Sequence, residues 1–378
     1  MVKGFTAPGF EGVKAAFEAN FARKDVADRG AAFAVYRHGE PLVSLWGGER
    51  APGVEWTEDT LVNVWSTTKG LTAISVAMLV DRGLLDYAAP VSRYWPEFGQ
   101  QGKEAITVSQ LLSHQGGLPG WTETTSIEDL FDWDVVTRRL SRQSPMWPPG
   151  TKNAYHAMTF GFLAGELIRR VTGRDVGAFM SEEIAVPLGA DIFVGLPASM
   201  DDQVAPLIGQ PPGTGPDLSS LPPEAVAAFS NPVISAVTPN SPAWRRAEIP
   251  AANGQCSAKG LATVYAALAN KGAIGDHRLM SAETVDRLRQ VQTDRVDLAL
   301  GLALGWGNGV MLNIPGWFGP SVTAFGHFGY GGSFACADPE NGVSMSYVMN
   351  QMGSEVLADP RASALVAATY QCLDRLGG

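Results

Sequence analysis

Residues 31–48, AAFAVYRHGEPLVSLWGG, read as two strands joined at His38-Gly39-Glu40, because apolar and β-prone residues run up to and away from a short polar turn. Before them, Val13, Phe17 and Phe21 recur at helical spacing within residues 11–24. Near the other end, residues 333–350, SFACADPENGVSMSYVMN, read as two more strands around the turn Asp338-Pro339-Glu340-Asn341-Gly342, and residues 354–376 read as a closing helix. The two ends therefore carry matching material. Between them, LTAISVAMLVDRG (71–83) and MTFGFLAGELIRRVTG (158–173) read as helices that end at Gly83 and Gly173. The economical assembly is an α+β fold: one antiparallel sheet built from both chain ends, flanked by the terminal helices, with a mainly helical region inserted. On this reading residues 1–65 and 255–378 form a discontinuous sheet domain, residues 66–254 form a helical one, and a cleft lies at their junction. Residues 205–243, rich in Pro, Gly and Ser, read as a long ordered loop.

The chain has 38 acidic against 28 basic residues, a formal charge of -10, and so lacks the basic face that nucleic-acid binding needs. The N-terminal residues lack the apolar run of a secretory signal. No stretch reaches the roughly 18 consecutive apolar residues of a membrane span. Expectation is a cytoplasmic protein with neither nucleic acid nor membrane as partner. The three cysteines, Cys256, Cys336 and Cys372, are an odd number at wide spacing without CxxC, which points to buried free thiols. The pair Asp201-Asp202 is far from any His cluster and HExxH is absent, so neither a metal nor another cofactor is called for.

The chemistry-bearing motif is Ser66-Thr67-Thr68-Lys69, at the opening of the first inserted helix. A helix puts Lys69 one turn beyond Ser66 on the same face, within reach of its hydroxyl. The N-terminus of a helix also offers unpaired N–H groups and positive potential to an oxyanion formed when Ser66 attacks a carbonyl. A lone Ser-x-x-Lys is a weak signal, and its weight comes from the company it keeps. Gly-x-Ser-x-Gly is absent, which counts against an α/β-hydrolase.

That company is SLWGG (44–48), VWSTTKG (64–70), ITVSQLLSHQGGLPG (106–120), WPPGTKNAYHAMTFGFLAGELI (147–168) and GHFGYGGSFACADPENGVSMSYVMN (326–350). In this order, over nearly the whole chain, these segments resemble the serine β-lactamase-like superfamily, which includes class C β-lactamases and penicillin-binding proteins. Within it they are most similar to the family VIII carboxylesterases. The resemblance implies a β-lactamase/transpeptidase-like fold, Ser66 as nucleophile, and Tyr155 as the group passing a proton between Ser66 and the leaving group. Lys69 either depresses the tyrosine pKa or acts as base itself. It also implies an oxyanion hole made by the backbone N–H groups of Ser66 and Tyr330.

Two departures bear on substrate. Where the family carries Lys-Thr-Gly, this chain has His327-Phe328-Gly329, and a neutral histidine cannot bind a substrate carboxylate as a lysine does. His327 and Gly329 remain candidates for lining the substrate site, with a hydrogen bond from His327 to Tyr155 or to substrate and a purely structural role both open. Where the family has Tyr-x-Asn, this chain has Tyr155-His156-Ala157, which lacks the amide. Both changes favour a small-molecule ester with an apolar acyl group, with weak β-lactam hydrolysis as a side activity, and the resemblance implies short acyl chains. Trp121, Trp133 and Trp147 are candidates either for walling an acyl pocket or for filling core, and His114 for packing within its loop. The rival readings are a β-lactamase, a D-aminopeptidase or other amide hydrolase, an acyltransferase, and an inactive scaffold or binding protein. No oligomeric state follows from the sequence.

Overall fold

The computed structural model of the chain describes residues 1–210 and 221–377. Its main sheet has nine strands, all antiparallel: β1 (Lys3–Thr6), β2 (Gly30–Arg37), β3 (Glu40–Ala51), β4 (Val54–Glu55), β5 (Gly305–Trp306), β6 (Met311–Leu312), β7 (Phe325–Phe328), β8 (Phe334–Asp338) and β9 (Val343–Met349). The order is β1-β3-β2-β9-β8-β7-β6-β5, with β4 paired to β3. The chain ends meet at β2 and β9, whose register runs from Arg37 opposite Val343 to Ala31 opposite Met349. The hairpin turn falls at His38 and Gly39, both at positive φ (50° and 85°), the backbone that lets a two-residue turn follow the strand twist.

The helices that matter here are α1 (Glu11–Asn20), α2 (Thr68–Asp81), α3 (Thr159–Thr172), α4 (Ala258–Ala269) and α5 (Pro360–Gly377). The terminal helices α1 and α5 pack together, as the sequence suggests, and α4 packs on β2, β8 and β9. Every residue of β9 is buried. Alternate side chains go to opposite layers: Ser344 donates to the Ala262 carbonyl (2.8 Å) and Ser346 to that of Ala258 on α4, while the Tyr347 hydroxyl donates to Asp28 (2.6 Å), itself paired with Arg361 on α5 (2.9 Å).

Helix α2 is buried from Thr68 through Val80, as its apolar residues on all sides demand, and it packs on α3. At the end of α3, Gly173 takes the left-handed conformation (φ 69°) and its N–H closes on the Arg169 carbonyl (2.8 Å). A second, four-stranded sheet, with Leu61–Asn63 between Val204–Ala205 and Gln255–Cys256 and with Ile192–Phe193 at its edge, ties the segment before Ser66 to residues 255 and 256.

The expectation of one long loop over 205–243 needs correction. Its described part holds the helices Pro223–Phe229 and Pro242–Arg246, each with proline in its first turn, where a missing N–H costs nothing. Pro223 and Pro242, two of the prolines that suggested a loop, are helix starters. The rest of that stretch, 211–220, lies outside the described residues. Cys256, Cys336 and Cys372 are buried free thiols, as expected. No helix among the described residues is long and apolar enough to cross a membrane.

Candidate active site

Ser66 lies in the single turn Trp65–Thr67 that leads into α2, and its side chain is partly exposed. The turn is strained: Trp65 has φ 48°, unusual for a bulky residue. It is pinned by bonds on both flanks. The Thr68 hydroxyl donates to the Trp65 carbonyl (2.6 Å) and accepts from the Gly254 N–H (2.9 Å), and Val64 N–H donates to the Gly254 carbonyl (2.9 Å). Among the described residues the Tyr330 backbone N–H makes no loop or turn hydrogen bond, and the Ser66 N–H lies in the first turn of a helix, where a donor has no helical acceptor before it.

Lys69 is fully buried. Its Nζ lies 2.9 Å from Ser66 Oγ, 2.7 Å from the Ala157 carbonyl oxygen and 2.9 Å from that of Ala251. No carboxylate pairs with it among the described residues. Burial therefore drives its pKa well below the usual lysine value. A neutral amine has two protons and one lone pair. The two carbonyls can take only protons, which leaves the lone pair for Ser66 O–H.

Tyr155 is buried and stacks on Trp306 with ring centres 5.8 Å apart, with the Ser66 hydroxyl near enough to bear on its phenol. Lys69 Nζ is 4.7 Å from the centre of its ring. Burial raises the phenol pKa, and the neighbouring Ser66 side chain offsets this only in part.

The loop that carries Tyr155 is held at three successive residues. Ala154 N–H donates to the His114 carbonyl (3.2 Å), Tyr155 N–H to Asp297 (2.9 Å), and His156 N–H to His114 Nδ1 (3.1 Å). His156 faces back: its Nδ1–H donates to the Ala154 carbonyl (2.7 Å) and its Nε2 accepts from Leu118 N–H (3.1 Å). Each imidazole thus has a bare nitrogen acting as acceptor, so both must be neutral. Burial ensures this, pushing His114 well below its ordinary pKa and His156 down to about 4. Asp297 Oδ1 also accepts from the N–H groups of Ala299 (3.0 Å) and Leu300 (3.1 Å). The sequence reading missed Asp297, Trp306 and the structural use of His156, because each acts through a loop partner distant in the chain. The one available signal was the unusual Tyr155-His156 pair.

His327 sits on β7 with its ring centre 6.1 Å from that of Tyr155. Its Nδ1 bonds the Phe328 carbonyl (2.7 Å), its Nε2 is buried without a partner among the described residues, and burial holds its pKa down at about 3. It makes no hydrogen bond to Tyr155. Gly329 is the close neighbour of the Ser66 turn: a Cβ there would lie 2.1 Å from the Val64 carbonyl oxygen. Tyr330 is half-buried, with its ring centre 5.8 Å from that of Trp65. Phe229, from the helix Pro223–Phe229, has its ring centre 6.5 Å from that of Tyr155.

The tryptophans are not drawn into this cluster. Trp121 packs on Phe162 and donates to the Val136 carbonyl (3.1 Å), Trp133 donates to Glu166 (2.7 Å), and Trp147 donates to the Lys152 carbonyl (3.2 Å). None has a ring contact or hydrogen bond with Ser66, Lys69 or Tyr155. Among the described residues no group of three or more His, Cys, Asp or Glu could hold a metal ion.

Known proteins share this architecture over most of their length. Esterase/beta-lactamase LipL of Mycobacterium tuberculosis is 39% identical over 379 residues, covering 96% of this chain and 86% of that protein. The crystal structure of a family VIII carboxylesterase is 42% identical, with TM-score 0.93 and coverage of 98% of this chain and 100% of that one. A penicillin-binding protein homologue from Caulobacter crescentus, 40% identical, superposes with the same TM-score and the same coverage. A family model, Beta-lactamase, matches residues 18–368, and with the fold and motif order in agreement the chain belongs to the Beta-lactamase family.

Proposed function

We propose that the chain is a serine carboxylesterase that hydrolyses short-chain esters through an acyl-enzyme on Ser66. The observation that carries this reading is the environment of Lys69: a buried amine with no counter-ion among the described residues, 2.9 Å from Ser66 Oγ and in reach of two main-chain carbonyls, which accept only protons and so, once the amine is neutral, leave its lone pair to the Ser66 hydroxyl. Ser66 Oγ attacks the ester carbonyl as its proton passes to Lys69. The backbone N–H groups of Ser66 and Tyr330 receive the oxyanion. That proton reaches the departing alkoxide through the Tyr155 hydroxyl, whose raised pKa keeps it protonated and able to donate. Water then attacks the acyl carbonyl by the same route in reverse, releasing the acid. The site draws on residues 66–157 and Ala251 on one side and on His327 and Tyr330 on the other, which supports a cleft between a helical part, 66–254, and a sheet part, 1–65 with 255–378.

Esters are favoured over β-lactams because His327, held neutral by burial, supplies no charge for a carboxylate, and Ala157 offers no side-chain amide. Phe229, with its ring centre 6.5 Å from that of Tyr155, and the Trp65–Tyr330 pair set bulky apolar rings around the two reacting side chains, which supports short acyl groups. The test is release of p-nitrophenol from the acetate, butyrate and octanoate esters, alongside a chromogenic cephalosporin. Expected is turnover falling from butyrate to octanoate, abolished in Ser66→Ala, with the cephalosporin at least about 10²-fold poorer in kcat/KM. A cephalosporin preference would assign the site to lactam hydrolysis instead.

A further inference from the structure

An oxyanion hole split between two segments works only if something fixes their spacing. Here Ser66 N–H belongs to the turn Val64–Thr67 and Tyr330 N–H to the loop Gly329–Ser333 between β7 and β8. That loop is closed at its base by Gly329 N–H to the Ser333 carbonyl (2.7 Å) and across its top by Gly332 N–H to the Gly329 carbonyl (3.2 Å). Ser333 is buried. Its Oγ lies 2.8 Å from the Val64 carbonyl oxygen and 3.1 Å from Thr67 Oγ1. A serine hydroxyl has one proton, and a carbonyl can only accept, so Ser333 donates to Val64 and Thr67 donates to Ser333.

Among the described residues these are the only side-chain hydrogen bonds between the two segments, and they grip the turn on both sides of Ser66. The back of the loop is held separately: Arg361 donates to the Gly331 carbonyl (2.7 Å), which also accepts from Gly353 N–H (2.8 Å). With Arg361 anchoring the loop from behind, Ser333 sets how far its front stands from the nucleophile.

We propose that Ser333 is a positioning residue, which holds the Tyr330 N–H at its working distance from the Ser66 N–H through the chain Thr67 hydroxyl, Ser333 hydroxyl, Val64 carbonyl. This deepens the acyl-enzyme reading and rests on it. A shift of the two donors by a fraction of an ångström weakens the grip on the tetrahedral oxyanion more than on the planar ester, so the loss falls on the transition state. Side-chain contact with substrate is not required of Ser333.

The test compares Ser333→Ala and Thr67→Val with the unaltered chain, with rates corrected for active sites titrated by a fluorophosphonate. For Ser333→Ala the expected result is a kcat/KM on p-nitrophenyl butyrate lower by about 10- to 100-fold, and a matching loss of affinity for an alkyl boronate, which forms a tetrahedral adduct on Ser66. Thr67→Val, which keeps the Ser333–Val64 bond, is expected to lose about 3- to 10-fold in both, and it is the variant to read if Ser333→Ala does not fold. A purely structural role would lower the melting temperature while leaving both quantities per titrated site within about twofold, and that outcome overturns the proposal. If Ser66 of the unaltered chain takes no fluorophosphonate, the acyl-enzyme reading has failed, which is a different result from labelled Ser66 with indifferent Ser333 variants.

Discussion

Lys69→Met is expected to lower kcat/KM on p-nitrophenyl butyrate by about 10³-fold or more while leaving the protein folded. Methionine nearly matches the lysine side chain in length and is suited to a buried site, but it has no lone pair basic enough to take the Ser66 proton. The accompanying stability change distinguishes a neutral from a charged Lys69. If burial keeps the amine neutral in the folded protein, the unfolded chain binds a proton that the folded one does not. Stability of the unaltered protein then rises with pH between the depressed folded pKa and the unfolded value near 10.4. The variant lacks that dependence. Its stability relative to the unaltered protein is therefore highest near pH 7 and declines toward pH 10, against a constant loss of about 1 kcal/mol for each of the two carbonyls left unpaired. Urea unfolding at several pH values measures the difference. A gap that does not change with pH contradicts the neutral amine.

Acid is expected to unfold the protein early. His156 and His327 are held neutral down to about 4 and about 3, and His114 is depressed as well, whereas all three bind protons near 6.5 once unfolded. The unfolded state therefore holds more protons from about pH 6.5 downward, and stability falls as pH falls through that window. The loss by pH 4 is on the order of 3 kcal/mol for each of His156 and His327, a large part of a typical folding free energy. Asp28, whose carboxyl burial pushes up to about 6, works the other way, as do Asp191, Glu248 and Asp297, also raised by burial, while Asp129, Glu183 and Asp201, lowered by their arginine partners, add to the loss. Activity follows stability, because protonation of His114 or His156 removes an acceptor that holds the Tyr155 loop. Thermal melts between pH 7 and pH 4.5 are expected to show a steep fall in Tm, and His156→Gln a shallower one. A Tm flat over this range contradicts the account.

Much of the fold and of the candidate site was legible in the sequence, and the reasons are local. The strand pairs at 31–48 and 333–350 carry period and turn chemistry within themselves, and α2 and α3 end at glycines that only a left-handed cap explains. Ser66 and Lys69 are three residues apart on one turn, so their contact follows from helix geometry alone. Other features depend on segments far apart in the chain. Nothing near Asp297 announces that its carboxylate gathers the Tyr155 N–H, and nothing near Ser333 announces the Val64 carbonyl. Pro223 and Pro242 misled for a related reason: proline marks both loops and first turns of helices, and whether the next residues bury an apolar face decides between them, as Ala225, Ala228 and Trp244 do here. Trp121 and Trp147 carried no positional signal, and their ring N–H groups turn to nearby main chain.

The central claim is a covalent acyl-enzyme on Ser66. Intact-mass measurement of the protein quenched in acid during turnover of p-nitrophenyl butyrate, coupled with peptide mapping, addresses it directly. The expected result is a butyryl adduct on the peptide that carries Ser66, absent from Ser66→Ala and accumulating in Tyr155→Phe if deacylation is the slower step there. An adduct on another residue, or ester turnover that persists undiminished in Ser66→Ala, would contradict it.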